Sequence, residues 1–164
     1  RDRRYRELGE DLDALVDSID DLGDAVDWLA DRADNAEGDG DGPDTGGDDL
    51  GLAWADTTLR VGVLDLFLDD VRAEFADLRA WDEREDVADG GTAADLEARI
   101  DEADRRCVAL ADRLDDLADP AWRERFDDDL GAFEETLGVY DPPVDWTDVQ
   151  DALETYRSQI GATA

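Results

Sequence analysis

Histidine, lysine and methionine are absent from this chain of 164 residues, and cysteine occurs once, as Cys107. Without histidine there is no Ser-His-Asp triad, no Cys-His pair and no imidazole metal ligand. A single cysteine excludes an intrachain disulfide and a thiolate zinc cluster. No apolar run approaches the roughly 18 residues that suggest a membrane span. Positive charge is scarce too: 16 bases, all of them Arg, stand against 49 acids, for a formal net charge of −33. Such a surface repels phosphate backbones and anionic lipid, so neither nucleic acid nor membrane insertion is expected of this segment.

What is present is acid in abundance. Asp outnumbers Glu by 37 to 12. Acidic excess, Asp over Glu and Arg without Lys together resemble the composition of proteins from extremely halophilic archaea. The physical reason is screening: uncompensated charge destabilises a compact state at low ionic strength. The Debye length falls from about 10 Å at 0.1 M salt to about 3 Å at 1 M, which removes most of that penalty. Losing Lys also removes long apolar stems from the surface. An acidic disordered tail is the wrong reading, because hydrophobic residues make up 41% of the chain and recur in strict period. The first residue is Arg1 and not Met, which suggests a piece of a longer protein or a trimmed start. The cluster Arg1, Arg3, Arg4 and Arg6 reads as a solvated first turn, and the unpaired Cys107 on an apolar stripe favours a cytoplasmic location.

The apolar periodicity predicts helices and no strands. In the first helix Tyr5, Leu8, Leu12, Leu15, Ile19, Leu22, Val26, Leu29 and Ala33 alternate spacings of three and four, a heptad stripe of the coiled-coil kind. Small residues beside it, Gly9, Gly23, Ala25 and Ala30, would admit a close neighbouring backbone. Residues 38–49, GDGDGPDTGGDD, read as a flexible acidic linker. A calcium loop is excluded there, because Pro43, Asp44 and Leu50 occupy positions that an EF-hand gives to a ligand, a Gly and a Glu.

The second helix, roughly 49–88, carries two seams. One runs from Leu50 through Trp54, Val61, Leu64, Leu68 and Val71 to Leu78. The other lies almost opposite, through Leu52, Ala55, Leu59, Gly62, Leu66, Ala73, Ala76 and Ala80, interrupted by Asp69. A helix apolar on two faces is either central to its bundle or holds one face for a partner. The third helix starts at Thr92, read as an N-cap with Asp95 three residues on. Its stripe is Ala93, Leu96, Ile100, Ala103, Cys107, Leu110, Leu114 and Leu117. Asp119-Pro120 opens the fourth helix, with Trp122, Phe126, Leu130, Phe133 and Leu137 on its face and Gly138 after it. Pro142-Pro143 makes a stiff turn, and Asp145 caps a fifth helix of Trp146, Val149, Leu153, Tyr156 and Ile160, ended by Gly161. The expectation is one all-α domain over 1–164, an antiparallel bundle of about five long helices. Its fourth rod is helices four and five end to end, broken at Pro142-Pro143. A three-helix core with helices four and five across one end is the alternative.

Two DDxxD motifs occur, Asp20-Asp21-Asp24 and Asp115-Asp116-Asp119. In all-helical isoprenoid synthases paired motifs of this form hold magnesium against a diphosphate. Chance alone predicts roughly two such matches in so Asp-rich a chain, so both read as solvated helix faces. All-helical nucleotide pyrophosphatases use clustered acids on adjacent helices; Glu83, Glu85 and Asp86, or Glu134 and Glu135, are the candidates for that chemistry. A carboxylate doing such work should interrupt an apolar face, and only Asp69 does. Cys107 has no His to activate it and reads as core.

No catalytic residue, cofactor site or metal site is therefore assigned. Trp28 stands off the heptad stripe among Asp24, Asp27, Asp31 and Arg32, where it either packs over Arg32 or meets a partner. Trp28 and the second seam, represented by Leu52, Leu59 and Leu66, form the expected interaction surface, for a protein partner or a homodimer. The leading expectation is a non-enzymatic helical interaction or scaffold module. The alternatives are a magnesium-dependent enzyme acting on a phosphorylated small molecule through carboxylates, and an acidic decoy for a nucleic-acid-binding protein.

Overall fold

The computed structural model describes residues 2–38, 45–86 and 91–163. Five helices follow one another: α1 (Asp2–Gly38), α2 (Thr45–Arg84), α3 (Thr92–Leu117), α4 (Pro120–Leu137) and α5 (Trp146–Thr163). There is no strand among the described residues. Each helix buries the stripe read from its spacing. Leu8, Leu12, Leu15 and Val26 of α1 are fully buried, as are Phe126 of α4 and Val149 of α5. Burying one such side chain stabilises the fold by about 1.5–3 kcal/mol.

Helix α2 is the centre. It packs against all four other helices, α1 packs on α3, and α4 on α5. Neither α4 nor α5 makes a close backbone approach to α1 or α3 among the described residues. The chain is thus two three-helix units sharing one helix: α1, α2 and α3 on one side, α2, α4 and α5 on the other.

Side-chain pairs give the directions. The Tyr5 hydroxyl donates to buried Asp82 at 2.5 Å, so α1 and α2 are antiparallel. Trp54 Nε1 donates to the Leu114 carbonyl at 2.9 Å, so α2 and α3 are antiparallel too. On the other side Trp122 lies against Gly51 and Leu137 against Gly62, which sets α4 parallel to α2. The Arg157–Asp56 bridge at 2.5 Å and the Trp146–Phe67 edge contact at 5.2 Å bring α5 back antiparallel.

Helices four and five therefore do not run end to end as one rod. The chain breaks where the double proline predicts, but the two halves fold back side by side, joined through Phe133–Tyr156 ring contact at 5.1 Å. At 18 residues each they are about 27 Å long, and lying abreast lets both cover the second seam of α2. The alternative of two helices across one end of the core is not adopted either.

The helix ends follow their local signals in part. The Asp119 carboxylate accepts from Ala121 N at 2.8 Å and Asp145 from Thr147 N at 3.1 Å, as capping residues should. Thr92, by contrast, is already helical, and the N-cap is Gly91, at φ 93° in the left-handed region that glycine favours. The connection after α1 is shorter than 38–49: Gly38 and Thr45–Asp49 are helical, and residues 39–44, with the Asp39, Asp41 and Asp44 of the rejected calcium loop, lie outside the described residues. Propagation outward from packed Leu50 outweighs the roughly 1 kcal/mol that each glycine costs a helix. Helix α2 stops at Arg84, before residue 88, because Asp86 turns to φ 50°. Helix α5 continues through Gly161.

The small residues flanking the α1 stripe do not admit a backbone. A Cβ at Gly23 would meet open space, and one at Gly9 only the Arg99 guanidinium at 4.0 Å. The close approaches are on α2. A Cβ at Gly51 would stand 2.7 Å from the Trp122 ring, and one at Gly62 would stand 3.2 Å from Leu137 Cδ1.

Along the α1–α3 seam the acids are used in register. Asp13 pairs with Arg99 at 2.5 Å, Asp20 with Arg106, and Asp27 with Arg113 at 2.7 Å. The three steps are one heptad apart on both helices, so α1 and α3 run parallel with matched periods. Each bridge is half-exposed and contributes at most about 1 kcal/mol; together they specify the register of α3 against α1.

Candidate interaction surface

The second seam of α2 is closed over its N-terminal half. Leu59 and Leu66 are buried, at 1% and 8% exposure, beneath α4 and α5. Leu52 is half-buried in a cleft that it shares with Arg157, Ile160 and Gly161 of α5. Leu59 and Leu66 are internal contacts and not the open face expected of them, while Leu52 stays half-exposed on the wall of that cleft. The reason is hydrophobic: α4 and α5 each carry an apolar stripe of their own, which they bury against α2 and against each other. Trp28 belongs to a different face, since α1 does not approach α4 or α5. It is 46% exposed, and the Arg32 guanidinium sits over its ring at 5.0 Å.

Past Asp70 the situation reverses. Asp70 is a bracket: its carboxylate accepts from Val144 N and from Trp146 Nε1, both at 3.2 Å, and so pins the start of α5 to α2. Beyond it α2 continues to Arg84, about 21 Å of helix, and α5 has already turned away. Ala76 and Ala80 are exposed there. A cleft of about 370 Å³ opens between Arg4 of α1, the α2 residues Asp70, Ala73, Glu74, Asp77 and Leu78, and the Pro142-Pro143 turn. Trp81, 39% exposed, lies one turn beyond Asp77 on the same face.

The charge in this cleft is unbalanced. On α1, partial loss of water, then the charges of Asp70, Glu10 and Glu7, raise Asp11 from its ordinary value. Glu74 is pushed up by burial and by Asp11 and Asp70, with Arg4 opposing.

A second acidic cleft, of about 290 Å³, lies between α2, α3 and α4, floored by Leu59, Leu114, Phe133 and Leu137 and edged by Asp65, Asp115 and Glu134. Desolvation, then Asp69, Asp104 and Glu134, raise Asp65. Cys107 is buried, and desolvation together with Asp65 and Asp104 pushes its thiol up to about 11, far from a nucleophile at neutral pH.

Among the described residues no group of three or more Asp, Glu or Cys side chains is disposed to hold a metal ion. Of the two DDxxD motifs, Asp20 pairs with Arg106, Asp115 with Arg123 at 3.5 Å, and Asp119 caps α4, while Asp21, Asp24 and Asp116 are exposed. Glu83, Glu85, Asp86, Glu134 and Glu135 are exposed, the first three at the end of α2 and the last two on α4. Asp69, the one interruption of the seam, is also exposed, and its neighbour Asp70 is the acid that does structural work. No described helix is long and apolar enough to cross a membrane.

Comparison with protein-family models, with curated proteins and with solved structures returned no match.

Sequence reasoning missed Trp81 and Asp70. The signal for Trp81 was its place beside the alanine end of the second seam, where a large aromatic has nothing in the spacing to pack against. Asp70 carried no signal, because its partners come from 74 and 76 residues away.

Proposed function

We propose that the chain is a non-enzymatic helical module that binds another protein, built for high salt and working in the cytoplasm. The observation behind this reading is the pair of half-exposed tryptophans, Trp28 and Trp81, on a strongly acidic surface where the other large exposed apolar side chains are Val108 and Val139. Tryptophan is enriched among the residues that carry binding energy and is highly buried on average. Salt adaptation is supported by the net charge of −33 and by the way every cross-helix bridge consumes one of only 16 arginines.

A photo-crosslinking residue placed at Trp28 and at Trp81, with exposed Asp128 as the control site, tests the reading in cells grown in high salt. Adducts to another protein at either tryptophan, absent at Asp128, are expected. Labelling no greater than at Asp128 at both sites refutes the module. The competing enzyme reading draws on the acids that edge the α2–α3–α4 cleft. It predicts a thermal shift with magnesium or manganese that potassium at equal ionic strength does not reproduce.

A further inference from the structure

The fold already contains one helix docked along the outer flank of α2, and that contact shows what the flank accepts. Helix α5 reads α2 with an arginine and an aromatic: Arg157 bridges Asp56, and Trp146 packs edge-on to Phe67 while donating to Asp70. Those α2 residues fall on two neighbouring lines of seven-residue spacing. Asp56, Val63, Asp70 and Asp77 make one line; Phe67, Glu74 and Trp81 make the other. Residues seven apart share a helix face. The docking track therefore does not end at Asp70; only its occupant does. Glu74 and Asp77 line the uncovered cleft of about 370 Å³, and half-exposed Trp81, one turn beyond Asp77, completes the repeat of carboxylate and aromatic.

The geometry points to this continuation as the docking site of an amphipathic helix from a partner protein, one presenting arginine and an apolar or aromatic face, laid end to end with α5. Two features select that occupant. Ala73, the small residue in the lining of the cleft, leaves room for a helix to lie close. Asp70, Glu74 and Asp77 line the cleft with Arg4 as its cation, and Glu74 is already repelled by Asp11 and Asp70, so a cationic side chain relieves a repulsion that another acid deepens. A second copy of a chain carrying −33 is disfavoured at such a face. This site rests on the module reading and assigns it to one of the two tryptophans.

The test uses the full chain in molar KCl and two synthetic amphipathic helices, one of leucine and arginine and one of leucine and glutamate, each labelled for anisotropy. The arginine helix is expected to bind at least about tenfold tighter than the glutamate helix. Trp81→Ala and Asp77→Ala, both at exposed positions, should each weaken it by about tenfold. Trp28→Ala should leave it unchanged, and hydrogen exchange should slow in residues 70–84. Equal binding by wild type and both α2 variants means diffuse attraction to acid and overturns the site. Loss in Trp28→Ala alone overturns this site while leaving a binding module in place. Absence of binding, together with no crosslinks at either tryptophan, removes both. A light-scattering mass of two chains that Trp81→Ala returns to one makes the occupant a second copy and overturns the partner assignment.

Discussion

Replacing Asp70 by alanine isolates how the α4–α5 hairpin is held. The substitution removes two acceptors at once, those of Val144 N and Trp146 Nε1. Hydrogen bonds to a charged group contribute about 1.5–3 kcal/mol, but both here are at the long limit of 3.2 Å and partly wet, so about 1 kcal/mol each is the better figure. Against that loss, Asp70 repels Asp11 and Glu74, and removing it returns on the order of 0.5 kcal/mol. The net destabilisation is about 1.5 kcal/mol, a fall in Tm of about 3–6 °C for a chain of this size. Asp70→Asn keeps one acceptor and should lose about half as much. Urea unfolding in molar KCl reads the total, and hydrogen exchange locates it: α5 amides should lose protection before those of α1 and α3. Asp70→Ala as stable as the parent, or protection lost evenly over all five helices, would falsify the bracket.

The pH dependence has a definite sign. Asp11, Asp65 and Glu74 titrate higher in the folded chain than in an unfolded one, so the folded state binds protons more tightly. Their contribution is full below the ordinary carboxylate pKa and is lost as pH rises through the raised values. Tm in molar KCl should therefore rise as pH is lowered from neutral toward about 5, and Glu74→Gln should flatten the rise. At Gly51 an added Cβ meets Trp122 at 2.7 Å, so Gly51→Ala should cost about 1–2 kcal/mol by chemical denaturation. In a Trp122→Ala background the same change should stabilise by about 1 kcal/mol, the ordinary helix preference for alanine. Replacing Arg99, Arg106 and Arg113 together by Gln should cost under about 2 kcal/mol in molar salt but raise the salt concentration needed for folding, followed by circular dichroism. Finally, Cys107, with its thiol near 11, should resist alkylation in molar KCl at mildly alkaline pH and react on dialysis to low salt. Equal rates in the two buffers would mean that the core does not open.

Much of this molecule could be read without a structure. Apolar residues at spacings of three and four settle helix against strand, because only a helix brings them to one side, and the stripes from Tyr5 to Leu29 and from Ala93 to Leu114 are buried as spaced. Capping by Asp119 and Asp145 was equally legible, being a contact within a few residues. The two seams of α2 announced a helix buried on both sides. Which element covers each seam was not written there, since α4 and α5 can bury their stripes end to end or abreast, and periodicity is blind to the difference. Only the packed chain decides it, through contacts between residues far apart: Trp122 against Gly51, Leu137 against Gly62, and Asp70 reaching Val144 and Trp146. The hairpin is shorter than the helix it covers, so Leu59 and Leu66 end up inside while Ala76, Ala80 and Trp81 are left outside.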